Sequence, residues 1–80
     1  MVKAAISGYY GFKNFGDEAI LSVLISHLKS LGNVDITVFS SDTDFTSKAY
    51  SVNSVKRFDL KNVVKTIKDS DILISGGGSL

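Results

Sequence analysis

Between Ser7 and Glu18 an apolar run ends in glycine and gives way to a helical pattern, and this junction restricts the fold more than any other stretch. Ala4-Ala5-Ile6 leads into Ser7-Gly8-Tyr9-Tyr10-Gly11-Phe12-Lys13-Asn14-Phe15-Gly16-Asp17-Glu18, and apolar periodicity starts at Ala19. A strand that breaks at glycine and resumes as a helix is the first turn of a βαβ unit. In such units the ligand lies against that turn. Gly8, Gly11 and Gly16 permit positive φ or close backbone approach. Tyr9, Tyr10, Phe12 and Phe15 stand among them, more aromatic surface than a solvated loop needs. Those rings either cover the top of a sheet or meet a ligand.

The helix start narrows the chemistry. Gly11-x-x-x-x-Gly16 has the glycine spacing of a P-loop, but Asp17-Glu18 follows where Lys-Ser/Thr is required. Carboxylates in a first helical turn suit the helix dipole, at roughly 0.3–1 kcal/mol each. They also repel a phosphate from the amides that would otherwise bind it. The pattern therefore argues against a nucleoside triphosphate cradle. The dinucleotide fingerprint G-x-G-x-x-G is not formed by Gly8-Tyr9-Tyr10-Gly11 either. A carboxylate pair at a strand end suits sugar hydroxyls. Capping of the helix is the plainer role, and the spacing admits both.

Further along, Ile20, Leu24, Leu28 and Leu31, with Leu21 and Ile25 beside them, predict a helix over Asp17 to Leu31. Gly32-Asn33 ends it, since both tolerate the left-handed conformation. Val34 to Ser40 reads as a second strand, Ser41 to Asp44 as a turn or cap cluster, and Phe45 to Tyr50 as a short helix. Ser54 to Phe58 is the expected third strand. Asp59 then caps a helix carrying Leu60, Val63, Val64 and Ile67, which ends near Asp69-Ser70. Asp71 to Ser75 is a fourth strand, apolar on both faces as buried parallel strands are.

That alternation predicts an α/β, Rossmann-like parallel sheet with helices on both faces. Right-handed crossovers give strand order 3-2-1-4, with the first and third helices on opposite faces. The sheet then reverses between strands one and four. The glycine-rich stretches after Ser7 and after Ser75 flank the crevice at that reversal. Gly76-Gly77-Gly78 reads either as part of that site or as a flexible end.

Composition removes several other classes. Eighty residues allow one domain at most, and 44% apolar content with 21% charge is that of a globular chain. A net charge of +1 leaves no electrostatic footprint for nucleic acid or an anionic membrane. There is no cysteine, so no disulfide framework or thiolate site, which is compatible with the cytosol. The lone His27 cannot build a metal site and reads as a surface or half-buried helix residue. No apolar run approaches the ~20 residues of a membrane span, and no leader is visible ahead of the first strand.

With both motifs in view, the stretch Gly8 to Leu21 closely resembles the opening of bacterial polysaccharide pyruvyl transferases, where a glycine-rich strand end runs into an Asn-x-Gly-Asp-Glu helix start. Ile74-Ser75-Gly76-Gly77-Gly78-Ser79-Leu80 resembles their second glycine-rich loop. The resemblance implies that residues 1–80 are the amino-terminal part of one Rossmann-like domain in a GT-B-like enzyme whose second domain lies outside this chain. It implies pyruvyl transfer from phosphoenolpyruvate to a sugar or lipid-linked saccharide of an envelope or extracellular polysaccharide precursor. The products would be a cyclic pyruvate ketal and phosphate, made in the cytoplasm or at the inner face of the membrane. Asn14, Gly16, Asp17 and Glu18 match the first motif, and Gly76, Gly77, Gly78 and Ser79 the second. With Gly8 and Tyr10 at the strand end, they form the expected substrate-binding set. The Gly77 and Gly78 amides are expected to face the donor's phosphate or carboxylate. No metal and no cofactor beyond the donor substrate is implied.

A trianionic donor also calls for cationic side chains. Lys13 in the first loop and Arg57 after the third strand are this chain's candidates. The main cationic and acid–base groups are expected in the second domain, so no catalytic residue is assigned. Two other readings share the pattern: another GT-B-like glycosyltransferase, and a non-catalytic α/β binding module.

Overall fold

The computed structural model describes residues 1–10 and 15–75. Four strands, β1 (Val2–Tyr10), β2 (Val34–Ser40), β3 (Asn53–Lys56) and β4 (Ile72–Ser75), form one sheet in the order β3-β2-β1-β4. Every pairing is parallel, as the crossovers require. The connecting helices are α1 (Phe15–Ser30), α2 (Thr43–Tyr50) and α3 (Leu60–Asp69).

Alternation along the strands divides the core. Ala4 and Ile6 of β1 and Ile36 and Val38 of β2 point to one face, where Leu21, Ile25 and Leu28 of α1 bury them. Tyr50 of α2 and Val52 pack against the same cluster. Each buried aliphatic side chain contributes about 1.5–3 kcal/mol, so this seam is the main source of stability. The other face carries buried Ala5 and Phe39. There Lys3 and Thr37 line a cavity with Thr66 and Asp69 of α3. α1 and α3 therefore lie on opposite faces.

Local signals behave as their chemistry dictates. Gly32 and Asn33, at φ 71° and 50°, turn the chain out of α1. Asp42 caps α2 by accepting from the Phe45 amide at 3.1 Å, so that helix starts two residues before the expected Phe45. Asp59 caps α3 through the Asn62 amide at 3.5 Å and the Asn62 side chain at 2.6 Å. β3 starts at Asn53 and closes at Lys56, before the expected Phe58. Phe58 is left exposed, with the Arg57 guanidinium 5.4 Å above its ring.

Two differences from the sequence reading concern the site. β1 does not break at Gly8: it runs on to Tyr10, with a pairing irregularity between Ile6 and Tyr10 that absorbs the glycine. β4 takes the edge position that the order 3-2-1-4 gives it, but its two apolar faces are not buried as the sequence reading expects. Its Ile72 is 46% exposed toward the α1 face and its Leu73 is 52% exposed toward the α3 face.

A buried polar knot fixes α2 to the end of β2. The Ser40 hydroxyl accepts from Thr46 Oγ1 at 2.7 Å and from the Asp42 amide at 3.0 Å. It donates to the Asp42 carbonyl at 3.1 Å. Ser40 and Thr46 are both wholly buried. Ser40→Ala strands the buried Thr46 hydroxyl, and an orphaned buried group costs about 1–3 kcal/mol. Urea unfolding should register that loss. Adding Thr46→Val should recover part of it, whereas an unchanged midpoint in Ser40→Ala would mean the knot is idle.

Candidate functional site

The carboxyl edge of the sheet gathers what the sequence separates. Ser7 of β1 and Ser75 of β4 are direct partners in the register. Gly8, still within β1, and Gly76 follow them in the chain, so the two glycine-rich stretches begin from paired register positions. The strand order reverses at that point, which is where open α/β sheets bind ligands. Tyr10 sits opposite Ser40, and Ser40 opposite Lys56, continuing the same edge across β2 and β3. Arg57 comes next, its amide donating to the Ser40 carbonyl at 3.0 Å. The candidate cation after the third strand thus follows the edge that Tyr10, Ser40 and Lys56 mark.

The expected binding residues fall into two groups. Gly8 and Tyr10 lie on β1, and Gly16, Asp17 and Glu18 lie in the first turns of α1. Asn14, Gly76, Gly77, Gly78 and Ser79 lie outside the described residues, as do Gly11, Phe12 and Lys13.

Glu18 is half-buried and held. The Tyr50 hydroxyl donates to Glu18 Oε1 at 2.8 Å and stands 3.3 Å from the Glu18 carbonyl oxygen. Tyr50 is anchored in turn: its ring packs on the core and its carbonyl accepts from Lys29 Nζ at 2.7 Å. Sequence reasoning missed this residue. Tyr50 closes a short helix 32 positions from Glu18, and no local pattern links the two.

His27 is exposed on α1, as a surface reading expects. Among the described residues no group of three or more His, Cys, Asp or Glu could hold a metal ion. No described helix is long and apolar enough to cross a membrane.

Fold and register together define a Rossmann-like parallel sheet whose strand order reverses between β1 and β4. The polysaccharide pyruvyl transferase family matches over residues 14–80, a span that includes both the Asn14-to-Glu18 helix start and the closing glycine triplet. The chain belongs to that family. Comparison with curated proteins and with solved structures returns no match.

Proposed function

We propose that this chain forms the first wall of an enzyme that moves a pyruvyl group from phosphoenolpyruvate to a saccharide, releasing phosphate. In ketal formation two sugar hydroxyls bond to C2 of the donor, its C3 methylene takes one hydroxyl proton to become a methyl group, and the phosphate leaves with the other. Such a reaction needs acceptors for the sugar hydroxyls and donors for the departing phosphate. Asp17 and Glu18 have the chemistry for the first task, and the Gly77 and Gly78 amides for the second. Arg57 is a cation on the same rim that could face the donor's charge. The acceptor is a sugar or lipid-linked saccharide of an envelope polysaccharide precursor, handled in the cytoplasm or at the inner membrane face. The second domain of a GT-B-like enzyme supplies the opposing wall.

The observation that supports this reading is the register of Ser7 with Ser75, each of which is followed in the chain by one of the two family motifs. The test is Asp17→Ala with Glu18→Ala in the complete enzyme. Acceptor kcat/KM should fall by an order of magnitude or more, while stability changes by about 1 kcal/mol, the scale of charge at a helix start. Unchanged acceptor kinetics with a large drop in melting temperature would show that the carboxylates are caps and nothing else.

A further inference from the structure

We infer that Tyr50 is a positioning residue for Glu18, fixing the carboxylate that meets the acceptor; the inference rests on the function proposed above. Contacts of both ring and backbone hold Tyr50, and the turn after it closes its helix. Its side chain is packed against the buried cluster between α1 and the sheet. Its carbonyl is bound by Lys29 Nζ at 2.7 Å. Directly after it, Ser51 adopts φ 54° and donates its amide to the Ser47 carbonyl, which closes α2. From that base the phenol reaches across to the first turns of α1 and donates to Glu18 Oε1 at 2.8 Å.

The geometry is more than a surface contact. A glutamate at a helix start ordinarily samples several rotamers, and freezing them costs entropy when a ligand arrives. A hydroxyl delivered from a packed ring removes that freedom beforehand. The bond is charge-assisted, hence of the stronger kind. Tyr50 therefore carries the order of the hydrophobic seam into the crevice. A carboxylate that accepts from a sugar hydroxyl gains from such support, because hydrogen-bond recognition fails with small misplacements. The polar knot at Ser40 adds to the same end, since Thr46 pins the helix that carries Tyr50.

Tyr50→Phe tests this, because it keeps the ring in the seam and deletes only the hydroxyl. It is made in the complete enzyme, alone and with Glu18→Gln. Acceptor kcat/KM should fall about tenfold, equivalent to ~1.4 kcal/mol, while the donor KM is unchanged. In the Glu18→Gln background the second change should add little, because Tyr50 acts through Glu18. Side-chain couplings across Cα–Cβ of Glu18, measured by NMR, should report one rotamer in the parent and averaging in Tyr50→Phe. Effects that add fully, or equal losses for donor and acceptor, would overturn the assignment. So would couplings that stay the same, or a lowered melting temperature with acceptor kinetics intact. A parent enzyme that makes no ketal defeats the proposed reaction instead, and the couplings still decide whether Tyr50 orders Glu18.

Discussion

Leu21→Ala should lower the unfolding free energy by about 2–5 kcal/mol, the range for emptying a fully enclosed leucine site. Leu21 is completely buried at the centre of the seam between α1 and the sheet, among Ile6, Ile25 and Val38. Its removal forfeits both the transfer energy and the contacts around the void, because neighbours fixed in a sheet relax only partly. For a domain this small, each kcal/mol displaces the melting temperature by roughly 4–8 °C, so a fall of ten degrees or more is expected. Leu31→Ala is the control, since Leu31 is 75% exposed just beyond α1. That change should move stability by less than ~0.5 kcal/mol. Calorimetry of the two variants decides the matter: equal losses would show that the seam is not where the stability resides.

Purified residues 1–80 should release no phosphate from phosphoenolpyruvate above the uncatalysed rate. The expectation follows from the proposed reaction, and its expected effect is total. Pyruvyl transfer must hold a highly anionic donor against a sugar and stabilise charge on the departing phosphate. The described rim offers Lys56 and Arg57 beyond β2, and Arg57 lies against Phe58. Fixing two substrates in reacting geometry is worth about 7–11 kcal/mol in favourable cases, and it takes two walls. One sheet edge excludes no water and aligns nothing from above. Activity should appear once the proposed second domain is restored, as followed by phosphate release and by ketal product. Ketal formation by residues 1–80 alone would sink the placement of the chemistry between two domains.

Much of the fold was legible because its signals are local. Asp59 three residues before Asn62, Gly32-Asn33 after a leucine-rich helix, and β-branched Val34 to Val38 each report their own backbone geometry. Crossover handedness then converted element order into strand order. Boundaries drifted where tertiary structure intervened. α2 starts at Thr43 because Asp42 found an amide to cap. β3 ends at Lys56 because Phe58 has no core to enter. β1 continues through Gly8 because its pairing irregularity accommodates the glycine. Family membership was legible from the paired motifs, since two glycine-rich stretches in a fixed order carry more information than either alone. The hold of Tyr50 on Glu18 was not. It depends on how far α2 stands from α1 across the sheet, a distance no spacing in the sequence encodes.

The pairing of β1 with β4 also has a temporal side. Lys3 and Asp71 clasp each other, with the Asp71 amide on the Lys3 carbonyl and the Asp71 carboxylate on the Lys3 amide, both at 2.8 Å. They are 68 positions apart. During synthesis β1 leaves the ribosome well before β4 and waits for this second neighbour while the residues between them emerge. β2 is available much earlier, so the half of the sheet bearing β1 and β2 can close before β4 arrives. Contacts of such long sequence separation slow folding, because loop entropy is spent before they form. The paired strand positions that precede the two family motifs, Ser7 and Ser75, therefore come together only after the β1–β2 pairing has had time to form.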